Sequence, residues 1–218
     1  MERTGADEWK EMESEFRART LPSAATRYGV WWHEFMQKIP WSSDPVAWQA
    51  SFDDNVPASP DPTRSAREWK LLSQYASGSQ EFVAGNIFAE MPFFWRFDQR
   101  NCLEGIIDLA IFQTHENKWF LLDWKTNQIK REDIDALRAY YRSQIAAYWK
   151  AVAEMTKQPV SAGIYSTATG ELVVYDDEEL ADEWERLKSV SAEHFPAEVS
   201  GARSDQISDL PSQLEFGL

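Results

Sequence analysis

Asp108, Asp123 and Lys125 are the side chains of this sequence best placed, by charge and by position, for catalysis, the two acids lying fifteen positions apart. They stand in Gly105-Ile106-Ile107-Asp108-Leu109 and Asp123-Trp124-Lys125-Thr126-Asn127, and the apolar runs around both acids predict strands. Positions 115–117 predict the turn between them. An antiparallel hairpin about that centre sets Asp108 across from Asp123, and the two-residue period of a strand puts Lys125 on the face of Asp123. Like charges facing each other across a ladder destabilise it, the more so among Ile106, Ile107, Leu121 and Leu122. The pair therefore calls for a cation. Carboxylate oxygens on rigid strands suit a hard divalent ion, Mg²⁺ or Mn²⁺, which keeps several waters and completes its shell from a phosphate. An ion so held polarises a phosphodiester and acidifies a bound water, while Lys125 orients that water or neutralises developing charge. An isolated Asp-x-Lys is more often a solvated ion pair; Gly105, the apolar flanks and the offset argue for catalysis here.

The elements that would carry these residues follow from periodicity. A charged helix is predicted over 7–19, and a second from about position 24, in which Tyr28, Trp31, Trp32, Phe35 and Met36 form an apolar stripe with His33 off its centre. Positions 42–64 hold Pro45, Pro57, Pro60 and Pro62 among Ser and Asp and read as an irregular insertion. A helix is predicted over 65–77 with Gly78 just past its end. Strands then follow at 87–97, 105–113 and 118–124, a long helix at 132–156, two strands at 161–165 and 172–175, and a helix near 177–191. The expected division is a helical segment at 1–23, a main domain at 24–175 and an acidic helix and tail at 176–218.

The 218 residues, 43% hydrophobic and 14% aromatic with 11 Trp, suffice for a packed core. The single cysteine, Cys102, excludes an intrachain disulfide framework, a zinc ribbon and a cysteine-ligated iron–sulfur cluster, and suggests a reducing cytoplasm. The apolar runs are too short to span a membrane, and the polar start 1–6 reads as neither signal peptide nor lipidation site. A net charge of −14 opposes generic nucleic-acid binding. Its position softens the objection: from Asp176 onward twelve acids face Arg186, Lys188 and Arg203, a net of −9. Lys125, Lys130, Arg131, Arg138, Arg142 and Lys150 then predict a local basic groove.

Three further segments complete an ordered set. Tyr141-Arg142-Ser143-Gln144-Ile145-Ala146-Ala147-Tyr148 lies on the long helix, and Arg27-Tyr28-Gly29-Val30-Trp31-Trp32-His33-Glu34 and Ala89-Glu90-Met91-Pro92-Phe93 lie upstream. With the two acid strands, they resemble the PD-(D/E)XK nuclease superfamily, and within it the RecB/AddA-type C-terminal nuclease domain. That branch shows a Gly-x-x-x-His helix, a Glu-x-Pro-Phe segment, a Gly-x-Ile-Asp strand, an Asp-Tyr-Lys-Thr strand and a Gln-x-x-x-Tyr helix. The resemblance spans about 24–175, with Trp124 in place of the tyrosine. It implies an α/β fold with an αβββαβ core, a mixed central sheet flanked by helices, in the same element order that the periodicity gives. It implies that Asp108 binds or bridges one or two metal ions, that Asp123 and the Trp124 backbone carbonyl bind with it, that His33 completes the shell and that Lys125 serves the attacking water. Gln144 and Tyr148, and with them Tyr141 and Glu90, would contact DNA or support the site.

What the resemblance implies for function is a metal-dependent deoxyribonuclease acting on single-stranded or unwound DNA ends in recombination or repair, in the cytoplasm at the nucleoid. The chain has no Gly-x-x-x-x-Gly-Lys-Ser/Thr loop and so no ATP site, whereas RecB and AddA carry a helicase motor; a motor in cis or in trans is expected. The four cysteines of the AddB and Cas-four-like branches are missing, so no iron–sulfur cluster is expected. The alternative from another class is a catalytically inactive nuclease-fold scaffold or DNA-binding module of a helicase complex. A third is the same fold acting on RNA or branched DNA. His115 and His194 read as solvated, and Gln213-Leu214-Glu215-Phe216 faintly resembles a sliding-clamp-binding tail.

Overall fold

The computed structural model describes residues 22–41, 44–99 and 101–189. The expected helix at 7–19, His194 and the segment 213–216 lie outside the described residues. Helix α1 (Ala24–Met36) starts at Ser23, whose hydroxyl accepts from the Thr26 amide, and buries Tyr28, Trp31, Trp32, Phe35 and Met36. The segment expected to be irregular instead holds α2 (Pro45–Asn55), a 3₁₀ turn (Val56–Ala58) and the start of α3 (Pro62–Gly78). Its prolines had suggested coil, but Pro45 and Pro62 follow the N-caps Asp44 and Asp61, where a missing N–H costs nothing. Gly78 is the last residue of α3 rather than the first beyond it, and a short α4 (Gln80–Ala84) leads into the sheet.

The sheet runs β1 (Asn86–Arg96), β2 (Cys102–Gln113), β3 (Lys118–Lys125), β4 (Val160–Ser166) and β5 (Glu171–Val174), each beside the next. All neighbours are antiparallel except β3 and β4, which are parallel and joined by the long helix α5 (Ile134–Thr156). Parallel neighbours need such a crossover. The fold is α/β, a five-stranded mixed sheet between two helical layers. On one side α1 to α4 and the sheet enclose an aromatic core with Trp32, Trp41, Trp48, Trp69 and Trp124. On the other, α5 and the last helix α6 (Asp177–Ser189) enclose Ile107, Leu121, Ile145, Ala147 and Ile164. No described helix is long and apolar enough to cross a membrane.

Two departures from regular strand geometry lie opposite each other. Ile87 and Ala89 of β1 pack against the aromatic core, but Met91, Phe93 and Trp95, still in step by twos, pack against the other core. Strand β2 does the same, with Leu109 and Ile111 on the aromatic side and Ile107 on the other. The faces exchange at Glu90, whose φ is 50°, and at Asp108, between the pairs Ala89↔Leu109 and Met91↔Ile107. No residue is inserted, so the register continues through the inversion.

Helix α6 was expected in an acidic segment outside the main domain. It belongs to the core: Leu180, Trp184 and Leu187 are buried beneath it. Trp184→Ala should therefore cost about 3–5 kcal/mol in urea denaturation, as for other buried aromatics. A change within about 0.5 kcal/mol, typical of a surface position, would show that α6 does not hold the fold together.

Candidate active site

The β2–β3 ladder ends at Leu109↔Leu122, one step short of Asp108 and Asp123. There the Trp124 amide donates to Asp108 Oδ2 at 2.8 Å, so a carboxylate takes the place of a ladder carbonyl. The second oxygen, Oδ1, lies 3.2 Å from His33 Nδ1, brought in by α1 from the aromatic side. Across β1, Glu90 completes a triad: one ligand atom each of His33, Glu90 and Asp108 lie within 4.8 Å of one another. The left-handed backbone at Glu90 costs on the order of 1 kcal/mol or more for a residue with a Cβ, and that strain lies at this triad. Gly29, one turn before His33, lets α1 rest on the end of β3, since a Cβ there would come 3.2 Å from Thr126 Oγ1.

Asp123 and Lys125 face the other helical layer, buried and ion-paired with each other. Lys125 Nζ also donates to Gln144 Oε1 at 2.8 Å and lies 3.6 Å from the centre of the Tyr141 ring. Gln144 Nε2 donates in turn to the Tyr148 hydroxyl at 3.0 Å, and Tyr141 donates to Asn127 Oδ1. Tyr148 meets Phe93 edge to face, with centroids 5.5 Å apart. That packing needs Gly105, because a Cβ there would approach the Phe93 ring to 2.8 Å. The five segments singled out in the sequence thus meet at one place.

Burial and neighbouring charge set the protonation. Burial pushes the Asp108 carboxyl up, but the His33 charge and hydrogen bond, with Lys125 and the Trp124 amide, outweigh it and hold it below the usual carboxylate value. Asp123 is pushed up by burial and by Asp108 against the pull of Lys125, to about 6. For His33, burial works against the charged ring, and Asp108 outweighs it, so the imidazole is held above its ordinary value. Burial likewise opposes the Lys125 charge, and Asp123 overcomes it. The carboxylates of Asp108 and Asp123 thus favour the charged forms of His33 and Lys125.

The donor set of the triad, one imidazole nitrogen and carboxylate oxygens, fits a divalent cation, and the 33% exposure of the His33 side chain leaves that corner open. Asp123 is engaged by Lys125 and does not join the triad. Trp124 was expected to offer its carbonyl; what reaches Asp108 is its amide. Gln144 and Tyr148 point at Lys125 and at each other. Glu90 was considered only for DNA contact or support, and sequence periodicity gave no sign that it would stand beside His33 and Asp108. Phe93 and the Tyr141 ring were not assigned to Lys125, although the Gln-x-x-x-Tyr spacing had pointed to that helix face.

Among the described residues, the cations expected to line a basic groove are paired with acids. Lys130 pairs with Glu132, Arg131 with Glu171, Arg138 with Glu179, Arg142 with Glu179 and Glu183, and Lys150 with Glu154. The acids of α6 lie along α5 and neutralise its arginines.

A family model described as the PD-(D/E)XK nuclease superfamily matches residues 11–213. No curated protein matches the chain.

A cation bound through His33 has to displace the proton that Asp108 holds on the ring. Because that pKa is raised, the ring holds its proton to a higher pH than a free imidazole does, and Mn²⁺ affinity should drop as pH falls through that range, by up to about tenfold per pH unit. Calorimetric titration at pH 6, 7 and 8, in buffers of different ionisation enthalpy, should show proton release. Affinity independent of pH would mean that His33 is not displaced.

Proposed function

The chain belongs to the PD-(D/E)XK nuclease superfamily, and on that basis we propose that it is a Mg²⁺- or Mn²⁺-dependent deoxyribonuclease of the RecB/AddA type that hydrolyses single-stranded or unwound DNA. The observation that carries this reading is the meeting of His33, Glu90 and Asp108 beside the Asp123–Lys125 pair, at the point where β2 and β3 part. When bound, one or two ions would polarise the scissile phosphate and acidify an attacking water.

The protein's own groups divide the remaining work. His33, Asp108 and Glu90 would hold the ion, and Asp123 and the Trp124 carbonyl could add oxygen ligands from the adjoining strand end. The Trp124 amide orients the Asp108 carboxylate, as outer-shell donors do at metal sites. Lys125, held by Asp123, Gln144 and the face of Tyr141, would serve the attacking water or offset the charge developing on phosphate. Tyr148 fixes Gln144, and Phe93 packs against Tyr148, so the helix motif acts through the lysine.

The assignment to recombination or repair at the nucleoid, and to work beside a helicase in cis or in trans, rests on the RecB/AddA-type motifs and on the missing nucleotide-binding loop. The division at 24–175 is moved outward in this reading to take in α6, since that helix closes the core.

End-labelled and circular single-stranded DNA, incubated with Mg²⁺ or Mn²⁺ and no ATP, test the proposal. Wild-type protein should cut, Lys125→Ala should cut about 10²–10³-fold more slowly, and Asp108→Asn should be inactive. Cleavage of the circle would identify endonuclease action. Variants that cut at the wild-type rate would remove these residues from the mechanism. A wild type that binds Mn²⁺ but leaves DNA intact would leave a scaffold role for the fold.

A further inference from the structure

Behind the end of β3 lies a buried ion pair that none of the five segments includes. Arg64 and Glu68, one turn apart on α3, are both buried, with Arg64 Nε donating to Glu68 Oε1 at 2.7 Å. The other carboxylate oxygen accepts from the Tyr28 hydroxyl of α1 at 3.0 Å. The guanidinium lies 3.6 Å from the centre of the Tyr28 ring. Its Nη2 donates to the backbone carbonyl of Thr126, the residue after Lys125.

Stability alone gives little reason for such a pair. Bringing an arginine and a glutamate out of water costs several kcal/mol per ion, and well-packed apolar side chains of similar volume often serve as well or better. What apolar side chains cannot do is hold the Thr126 carbonyl and the Tyr28 hydroxyl at the same time. The carbonyl before it, that of Lys125, accepts from the Thr167 amide at 3.0 Å, so both carbonyls at this strand end are fixed from outside β3. Gly29 follows Tyr28 and seats α1 against Thr126, and His33 leaves the next turn of the same helix to meet Asp108. The ion pair therefore sets the gap between the helix that carries His33 and the strand that carries Asp123 and Lys125.

We propose that Arg64, with Glu68 and Tyr28, is a positioning clamp for the metal site, acting through α1 and Thr126 and touching neither metal nor substrate. The proposal rests on the nuclease reading for its catalytic consequence, though not for its structural one. The variant Tyr28→Phe/Arg64→Met/Glu68→Met removes all three polar groups together, so no charge is left buried and unpaired. It should stay folded, while amide hydrogen exchange at 124–127 and around 29–33 becomes faster and exchange in α5 and α6 does not change. Mn²⁺ affinity should weaken about tenfold or more, and kcat on a single-stranded oligonucleotide should fall about 10–100-fold with KM unchanged, the range seen for outer-shell positions. Should that variant not fold, Arg64→Lys keeps the charge beside Glu68 but loses the planar fork, and the same local pattern is expected. Unchanged exchange at 124–127 would overturn the clamp, and so would faster exchange spread evenly over the molecule, which would make the pair merely structural. If the wild type neither binds Mn²⁺ nor cuts DNA, the nuclease reading fails, while the exchange comparison still decides the clamp.

Discussion

Two carboxylates buried side by side in a sheet need positive charge close at hand, and much of this structure is arranged around that need. Asp108 receives it from His33 on one helical layer, and Asp123 from Lys125, which the other layer supports. The ladder between β2 and β3 has to stop where these partners enter, and it stops one step before the acids. Both layers must also come unusually near the strands. Gly29 on one side and Gly105 on the other make that possible, because in each place a Cβ would meet the opposing residue. His33 and Lys125 thus hold the two carboxylates from opposite sides of the sheet.

The parts of this arrangement that were legible in the sequence are those governed by short-range repetition. The symmetric offset of Asp108 and Asp123 about a turn placed them at corresponding positions of a hairpin, and the observed ladder, whose last pair is Leu109↔Leu122, keeps that register up to the step before them. The three-and-four spacing around Trp32, and that between Gln144 and Tyr148, placed two helix faces. The helices within 42–64 were not legible because proline and aspartate serve both as breakers and as starters, and only their place relative to a helix decides which. Glu90 was hidden for a different reason: a period of two assumes a regular backbone, and one left-handed residue changes what every later side chain faces.

Charge was the least legible feature. The cations of α5 read as free because their acids lie far along the chain, Arg138 and Glu179 being separated by 41 positions. Those same acids read as a solvated tail because composition does not reveal that Leu180, Trp184 and Leu187 turn one side of their helix into the core. Two of these acids, Glu179 and Glu183, are thus turned toward α5 and bind one helix to the other, while Asp177, Glu178, Asp182 and Glu185 stay exposed.

The inversion at Glu90 and Asp108 gives the two cores a common border but separate constituencies. His33 is carried by a helix of the aromatic layer, whereas Lys125 lies against the Tyr141 ring and Gln144 in the other. The two halves are nonetheless coupled, because Arg64 and Gly29 of the aromatic side meet Thr126, the residue after Lys125. Asp108 and Glu90, on adjacent strands at that border, are where a displacement in either layer reaches the other.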